Sequence, residues 1–183
     1  MSQAIRTSRD FKEKKVKAKE GNVKMKILLF SDSHGYLNNM IKAVETNKET
    51  EMIIHLGDCV RDAINIKKLF PAKKYEYVRG NNDWSADCPE EKLLYLGGKK
   101  IFITHGHRYG VKLDYIRLIL QGKAVEADAV FFGHTHCAEE LYEEGIMMVN
   151  PGSIGAPSSV GSPTYCVVEI SDGEIISRFH SLG

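Results

Sequence analysis

The stretch Ile27-Leu28-Leu29-Phe30-Ser31-Asp32-Ser33-His34-Gly35 narrows the folds open to this chain more than any other. A continuous apolar run that stops at a turn signal reads as a strand buried on both faces. Ligands of open α/β sheets collect in the crevice beyond the C-terminal ends of such strands. Asp32 and His34 fall at that place, and an oxygen and a nitrogen ligand two residues apart can point at one metal ion. Taken alone, the stretch is explained more simply as a capped turn in which Asp32 bonds its own backbone.

The same pattern recurs along the chain. Asn38 to Asn47 carries Met40, Ile41 and Val44 at helical spacing, with Asn38 or Asn39 near the cap. Glu51 to Leu56 reads as a second buried strand and ends at Gly57-Asp58. Asp62 to Phe70 is helical and is stopped by Pro71. Tyr75 to Val78 is a third strand, ending at Gly80-Asn81-Asn82-Asp83. Strand and helix alternate, which implies a mainly parallel sheet with helices outside.

The second half is richer in strands. Lys92 to Leu96 and Lys100 to Thr104 flank Gly97-Gly98, a hairpin signal. The latter strand ends in Thr104-His105-Gly106-His107. A helix from about Lys112 to Gly122 is expected to bury Tyr115, Leu118 and Ile119. Ala129 to Phe132 ends in Gly133-His134-Thr135-His136. Glu139 to Tyr142, Ile146 to Val149, Tyr165 to Ile170 and Ile175 to His180 read as short antiparallel strands. The fold class implied is α/β, a two-sheet sandwich flanked by helices. No fixed-period repeat or low-complexity tract interrupts it.

Residues 1 to 24 differ, with Lys and Arg dominating from Arg6 to Lys24. They read as a basic N-terminal extension, and residues 25 to 183 as the folded domain. The extension lacks the apolar core of a signal peptide. With 25 Lys and Arg against 24 Asp and Glu, the whole chain makes no case for non-specific nucleic-acid binding, and a basic arm touching nucleic acid is the lesser reading of the extension. No apolar run approaches a membrane span. Cys59, Cys88, Cys137 and Cys166 are scattered and form no CxxC pair, so they read as reduced thiols of a cytoplasmic protein.

Five strand ends carry ligand-type residues: Asp32 with His34, Asp58, Asn81, His105, and His134 with His136. Each has a bland explanation as a turn or a satisfied polar residue, and Gly80-Asn81 fits a turn with Asn in the left-handed region. Five coincidences are harder to credit than one shared cause. Four histidines, two aspartates and one amide oxygen suffice for two metal ions with one bridging carboxylate.

Asp32-Ser33-His34, Gly57-Asp58, Gly80-Asn81, Thr104-His105-Gly106-His107 and Gly133-His134-Thr135-His136 together resemble the signature of the metallophosphoesterase (calcineurin-like) superfamily. The resemblance spans Met25 to Gly183, with Asn150-Pro151-Gly152-Ser153 following the last His pair. It is nearest to the small, capless prokaryotic phosphodiesterases of the YfcE-like group. The resemblance implies a sandwich with two divalent ions between the sheet ends. One ion would be held by Asp32, His34, Asp58 and His136, the other by Asp58, Asn81, His105 and His134, with Asp58 bridging. Such mixed ligands suit manganese first, with iron, nickel or zinc as alternatives, better than magnesium alone. Two ions about 3.5–4 Å apart can share a water and yield hydroxide near neutral pH. The implied activity is hydrolysis of a phosphoric ester by that bridging hydroxide, with a small phosphodiester as substrate.

Other residues carry both readings. His107 is expected to orient a ligand or touch a substrate oxygen. His55 and His180 read as structural, and Arg79 and Arg108 border the ligand segments within reach of a phosphate. Much of the wider superfamily has Gly-Asn-His where this chain has Gly80-Asn81-Asn82. Asn82 can donate a hydrogen bond but not a proton, so strong dependence on leaving-group acidity is expected. Two rivals stand beside the phosphodiesterase. One is a phosphomonoesterase. The other is a non-catalytic, metal-binding interaction scaffold like the retromer subunit of similar architecture. A homo-oligomer is compatible with the sequence.

Overall fold

A computed structural model describes residues 23–155 and 161–183. The basic extension proposed for residues 1 to 24 lies, up to residue 22, outside the described residues.

The apolar run expected first becomes β1 (Val23–Phe30), and it sets the layering. Its alternate residues face opposite ways. Ile27 and Leu29 enter one apolar cluster, while Leu28 and Phe30 enter another. All four are fully buried. β1 runs parallel to β2 (Met52–His55), and β2 runs parallel to β3 (Lys74–Tyr77). β4 (Glu91–Leu96) and β5 (Lys99–Thr104) form a hairpin on Gly97 and Gly98, whose φ values of 57° and 81° suit the tight two-residue turn that glycine favours. β6 (Ala129–Phe131), β7 (Ala138–Glu143), β8 (Ile146–Pro151), β9 (Thr164–Ser171) and β10 (Glu174–Ser181) complete the strands.

These make two five-stranded sheets, in the orders β10-β9-β1-β2-β3 and β4-β5-β6-β8-β7. Each contains three parallel strands: β1, β2 and β3 along one side of the first, β5, β6 and β8 at the centre of the second. The strand expected at Ile146 to Val149 is therefore not antiparallel on both sides. It pairs antiparallel with β7 but parallel with β6, which brings its C-terminal end to the edge shared by β6.

Between the sheets, Ile27, Leu29 and Ile54 pack with Ile101, Phe131 and Val168. Truncating one such side chain to alanine typically costs about 2–5 kcal/mol. Among the described residues, three α-helices cover the outer faces. α1 (Leu37–Thr46) places Met40, Ala43 and Val44, and α2 (Val60–Leu69) places Ile66, on the outer side of the first sheet. α3 (Ile116–Ala124) places Leu118 on that of the second.

The helix starts differ from expectation for local reasons. α1 is entered from Tyr36 without a side-chain cap, and the Asn39 amide instead donates to the Ile154 carbonyl at 2.9 Å. α3 begins four residues later than the periodicity predicts. Asp114 accepts the Ile116 N–H at 3.0 Å, and Tyr115 precedes the first turn. No described helix is long and apolar enough to cross a membrane.

Candidate metal centre

The C-terminal ends of β1, β2, β3, β5 and β6 lead into the loops that carry Asp32, Asp58, Asn81, His105 and His134, and Asn150 lies near the end of β8. The loops there are unusual. Asp32, His34, Asp58, His134 and His136 all take positive φ, between 45° and 70°. Side-chain-bearing residues rarely sit there, and each costs on the order of 1–3 kcal/mol. Asn81, the residue for which that backbone region was the bland explanation, is not among them.

The strained turns bring two clusters together around one carboxylate. Asp32 Oδ1 lies 3.1 Å from His136 Nε2 and 3.8 Å from His34 Nε2. On its other side, His105 Nε2 lies 3.9 Å from Asp32 Oδ1 and 3.5 Å from Asp58 Oδ1. Asp32, His34 and His136, and likewise Asp32, Asp58 and His105, each present ligand atoms within 4.8 Å of one another. Asp32 is thus common to both clusters, whereas the superfamily resemblance gives the bridging role to Asp58. His134 packs its ring 5.0 Å from that of His105, and its backbone N–H donates to Asp32 Oδ2 at 3.1 Å.

The donor set fits divalent cations. The His105 Nδ1–H donates to the Leu56 carbonyl at 2.8 Å, so Nε2 is the atom that faces the two carboxylates. His105 Nε2, Asp32 Oδ1 and Asn81 Oδ1 are buried without a hydrogen-bond partner. Each such atom left unmatched costs about 1–3 kcal/mol. Burial pushes the His105 imidazole down, but Asp58 and Asp32 outweigh it and raise its pKa. Burial pushes Asp58 up, yet His105 and the Asn82 donors hold it well below the usual carboxylate range. Asp32 is also held low, burial being outweighed by His136, His105 and Ser31. The whole cluster is arranged to receive positive charge, with oxygen and imidazole donors of the kind that bind first-row metals.

Neighbouring groups fix these side chains. Asn82 donates its backbone N–H to Asp58 Oδ1 at 2.9 Å and its amide to Oδ2 at 2.6 Å. In this arrangement its amide is spent on Asp58. Gly80 lies so close beneath that a methyl group there would collide with Asp58 Oδ1, and one on Gly133 would collide with Ser31. Asn150 donates its amide to the Gly133 carbonyl at 3.1 Å and to Thr135 Oγ1 at 2.9 Å, bracing the His134–His136 loop. Ile154 N–H donates to the Ser31 carbonyl at 3.1 Å, and Gly155 N–H to that of Asp32 at 3.2 Å.

Several supports carried no sequence signal. Asp62 accepts Ser33 Oγ–H and Gly35 N–H, both at 2.8 Å. Asp83 accepts the Cys59 and Val60 N–H groups at 2.9 and 2.8 Å and the Gly80 N–H at 2.9 Å, so a distant carboxylate caps α2. His55 is wholly buried; its Nδ1 accepts the Gly57 N–H at 3.2 Å and its Nε2 lies 3.1 Å from Ser33 Oγ. Burial pushes His55 down to about 4, which keeps it neutral. His180 stacks on Tyr165 at 5.1 Å, away from the cluster.

His107 lies beside the cluster, its ring 5.5 Å from that of His105 and its Nδ1 buried without a partner. Burial, then His105, pushes its pKa down. Arg79 and Arg108 do not reach the centre with free guanidinium groups, because both pair with Glu90. The Cys59 thiol is pushed up by burial and by Asp62, which disfavours a thiolate nucleophile.

Comparison with known proteins identifies the family. The chain is 33% identical over 159 residues to a probable metallophosphoesterase, YsnB, of Bacillus subtilis, covering 85% of this chain and 90% of the relative. It is 33% identical over 175 residues to the phosphodiesterase MJ0936 of Methanocaldococcus jannaschii, covering 82% of this chain and 96% of that protein. The crystal structure of a predicted phosphoesterase from Streptococcus pneumoniae superposes with a TM-score of 0.72 at 28% identity, covering 86% of this chain and 89% of that one. Residues 25–173 match the family model for the calcineurin-like phosphoesterase superfamily domain, the span that carries every ligand-type residue described above, and the chain belongs to that superfamily.

Proposed function

We propose that this protein is a metal-dependent phosphodiesterase with a dinuclear centre. The observation that carries the reading is the convergence of Asp32, Asp58 and His105 at one sandwich edge, with buried, unpartnered donor atoms on Asp32 and His105 and on Asn81 in the loop after β3. Asp32, His34, Asp58 and His136 would hold one ion, and Asp58, Asn81, His105 and His134 the other, with Asp58 between them. Manganese is the first candidate, ahead of iron, nickel and zinc. When bound, two divalent ions supply Lewis-acid charge and lower the pKa of a water towards roughly 7, so that no side-chain nucleophile is required.

The chain's own residues orient that chemistry. Leu56 fixes the His105 tautomer, leaving Nε2 for the cluster. Asn82 holds both Asp58 oxygens. The imidazole of His107, its pKa lowered by burial and by His105, stands beside the cluster and is placed to meet a substrate oxygen. Asn82 cannot release a proton at neutral pH, so substrates with acidic leaving groups should react best.

A diester preference is supported by the named activity of the Methanocaldococcus relative. Formal charge supports it as well: two divalent ions, less the charges of Asp32, Asp58 and a hydroxide, would leave one positive charge, which a diester's single negative charge balances and a monoester's overshoots. The test is metal analysis of protein purified without chelator, then kcat/KM on a matched diester and monoester with added Mn²⁺. Bound metal with higher efficiency on the diester is expected. Equal or higher efficiency on the monoester would reassign the substrate class. Absence of both metal and turnover would favour the scaffold.

A further inference from the structure

A cavity of about 410 Å³ opens beside the metal centre, between the start of α2 and the loop after β3. His34 lines both the cavity and the ligand cluster, and Asn82 lines the cavity while gripping Asp58. Further along the lining stand Arg61, Ile64 and Trp84. The volume is in the range of small-ligand pockets, about 300–1,000 Å³. It suits one ring with its sugar or linker rather than a polymer.

Trp84 stands at the rim of this cavity. It is the chain's sole tryptophan, and 90% of its surface is exposed. Exposed apolar surface grouped beside a concave, partly polar pocket is the kind that marks a ligand site. Ile64, 39% exposed, adds apolar surface to the same cavity. The loop that presents the indole is fixed, not loose. Asp83, the residue before it, anchors to Cys59, Val60 and Gly80, and the Ala86 N–H donates to the Asp83 carbonyl at 3.1 Å. Such a platform loses little freedom when a ligand stacks on it. Arg61 is exposed and makes no hydrogen bond or ion pair among the described residues.

We propose that this cavity seats a planar aromatic ring of the phosphoester substrate, stacked on the Trp84 indole, with the Arg61 guanidinium serving acceptor atoms on that ring while the phosphate lies at the Asp32–Asp58 cluster. The proposal rests on the phosphoesterase reading and narrows it from any phosphoester to one bearing an aromatic group. Nucleobases and simple aryl groups share this chemistry, since every base offers a π-face.

The sole tryptophan makes the test direct. The full chain with a fixed saturating concentration of Mn²⁺ is titrated with adenosine 5′-monophosphate, phenyl phosphate and ribose 5-phosphate, and Trp84 fluorescence is followed. Saturable quenching by the first two and none by ribose 5-phosphate is expected. Quenching by the adenosine compound alone would assign the ring as a nucleobase. An equal response to all three, or none, overturns the proposal.

A second arm uses Trp84→Ala and Trp84→Phe, whose exposed position leaves the core untouched. The ratio of kcat/KM for the trifluoroethyl ester of adenosine 5′-monophosphate to that for the trifluoroethyl ester of ribose 5-phosphate, whose shared leaving group is acidic and not aromatic, should fall about tenfold in Trp84→Ala. It should be largely kept in Trp84→Phe. An unchanged ratio in Trp84→Ala overturns the ring site. The two readings fail separately: turnover without selective quenching removes the ring site and keeps the phosphoesterase, whereas selective quenching without turnover does the reverse.

Discussion

The two ligand clusters share Asp32 and differ in almost everything else. In the sealed one, the side chains of Asp32, Asp58 and His105 are 0, 3 and 0% exposed. Each has a backing group: Leu56 behind His105, Asn82 against Asp58, Ser31 at Asp32. In the open one, His34 and His136 are 28% and 23% exposed and face each other at 5.3 Å. Charge in a sealed, low-dielectric site interacts strongly, and an uncompensated charge there costs far more than at the surface. The contrast teaches a division of labour. On the proposed function, the sealed cluster would hold an ion firmly, while the open one would exchange with solvent and meet substrate. The cavity beside His34 and Trp84 opens on that exposed side.

Substitutions can break this contrast, and the largest effect is expected at Asp58. Asp58→Asn should lower kcat/KM by orders of magnitude with every divalent metal tried, because a neutral amide replaces the charge that balances the sealed cluster. Activity retained with any metal would show that the sealed cluster is not the anchor. Asn82→Ala leaves the ligands intact and removes only a support. It should cost about 10–100-fold in metal affinity or activity, the usual scale for groups behind a ligand. Equilibrium dialysis would read the affinity, and an unchanged value would mean that Asp58 needs no clamp.

A smaller effect is expected on the open side. His136→Ala should weaken one ion more than the other, so that metal stoichiometry falls at low Mn²⁺ and excess Mn²⁺ partly restores turnover. Unchanged stoichiometry and affinity would remove His136 from the ligand set. The smallest effect tests the framework beneath both clusters. His55 is held at about 4 by burial, opposed by Asp83, Asp32 and Asp62 and aided by His105, against 6.5 for the free side chain. The unfolded chain therefore takes up a proton that the folded chain refuses. Stability is complete above pH 6.5 and falls as pH drops from about 6.5 towards 4, by at most ~1.4 kcal/mol per pH unit for this one proton. In metal-free protein His134, also pushed to about 4 by burial, adds to the fall in the same window. Urea unfolding with chelator at pH 7 and pH 5 should show a smaller loss in His55→Gln than in the parent. Equal losses would show that His55 is not the group being protonated.

What the sequence disclosed follows from where the relevant physics is local. Ile27 to Phe30 announces a strand buried on both faces because each residue is apolar, and the turn after it must then carry Asp32 and His34 to the sheet edge. Gly97-Gly98 announces its hairpin through backbone freedom alone. Asp62 and Asp83 gave no such sign, since their partners are Ser33, Gly35, Cys59 and Val60, and nothing local marks contacts made across loops. The parallel pairing of β8 was hidden for the same reason: its short apolar run fits either direction, and only β6 decides. Nor did the sequence show that histidines and aspartates, rather than Asn81, take the left-handed backbone. The pairing of Arg79 and Arg108 with Glu90 removes two cations that proximity in sequence had offered to a phosphate.

The strand that carries Asp32 and His34 lies between β2 and β9, so one neighbour comes from residues 52–55 and the other from residues 164–171. The turn after it is closed by Ile154 and Gly155. A chain that has joined only β1, β2 and β3 owns Asp32, Asp58 and Asn81 but none of His105, His134 and His136. Long-range contacts of this kind form slowly, because the loop-closure entropy precedes the gain. Time order follows from topology: a refolding chain is expected to take up metal only after β9 has docked, which makes the ion a late seal on a finished sandwich and not a seed for it.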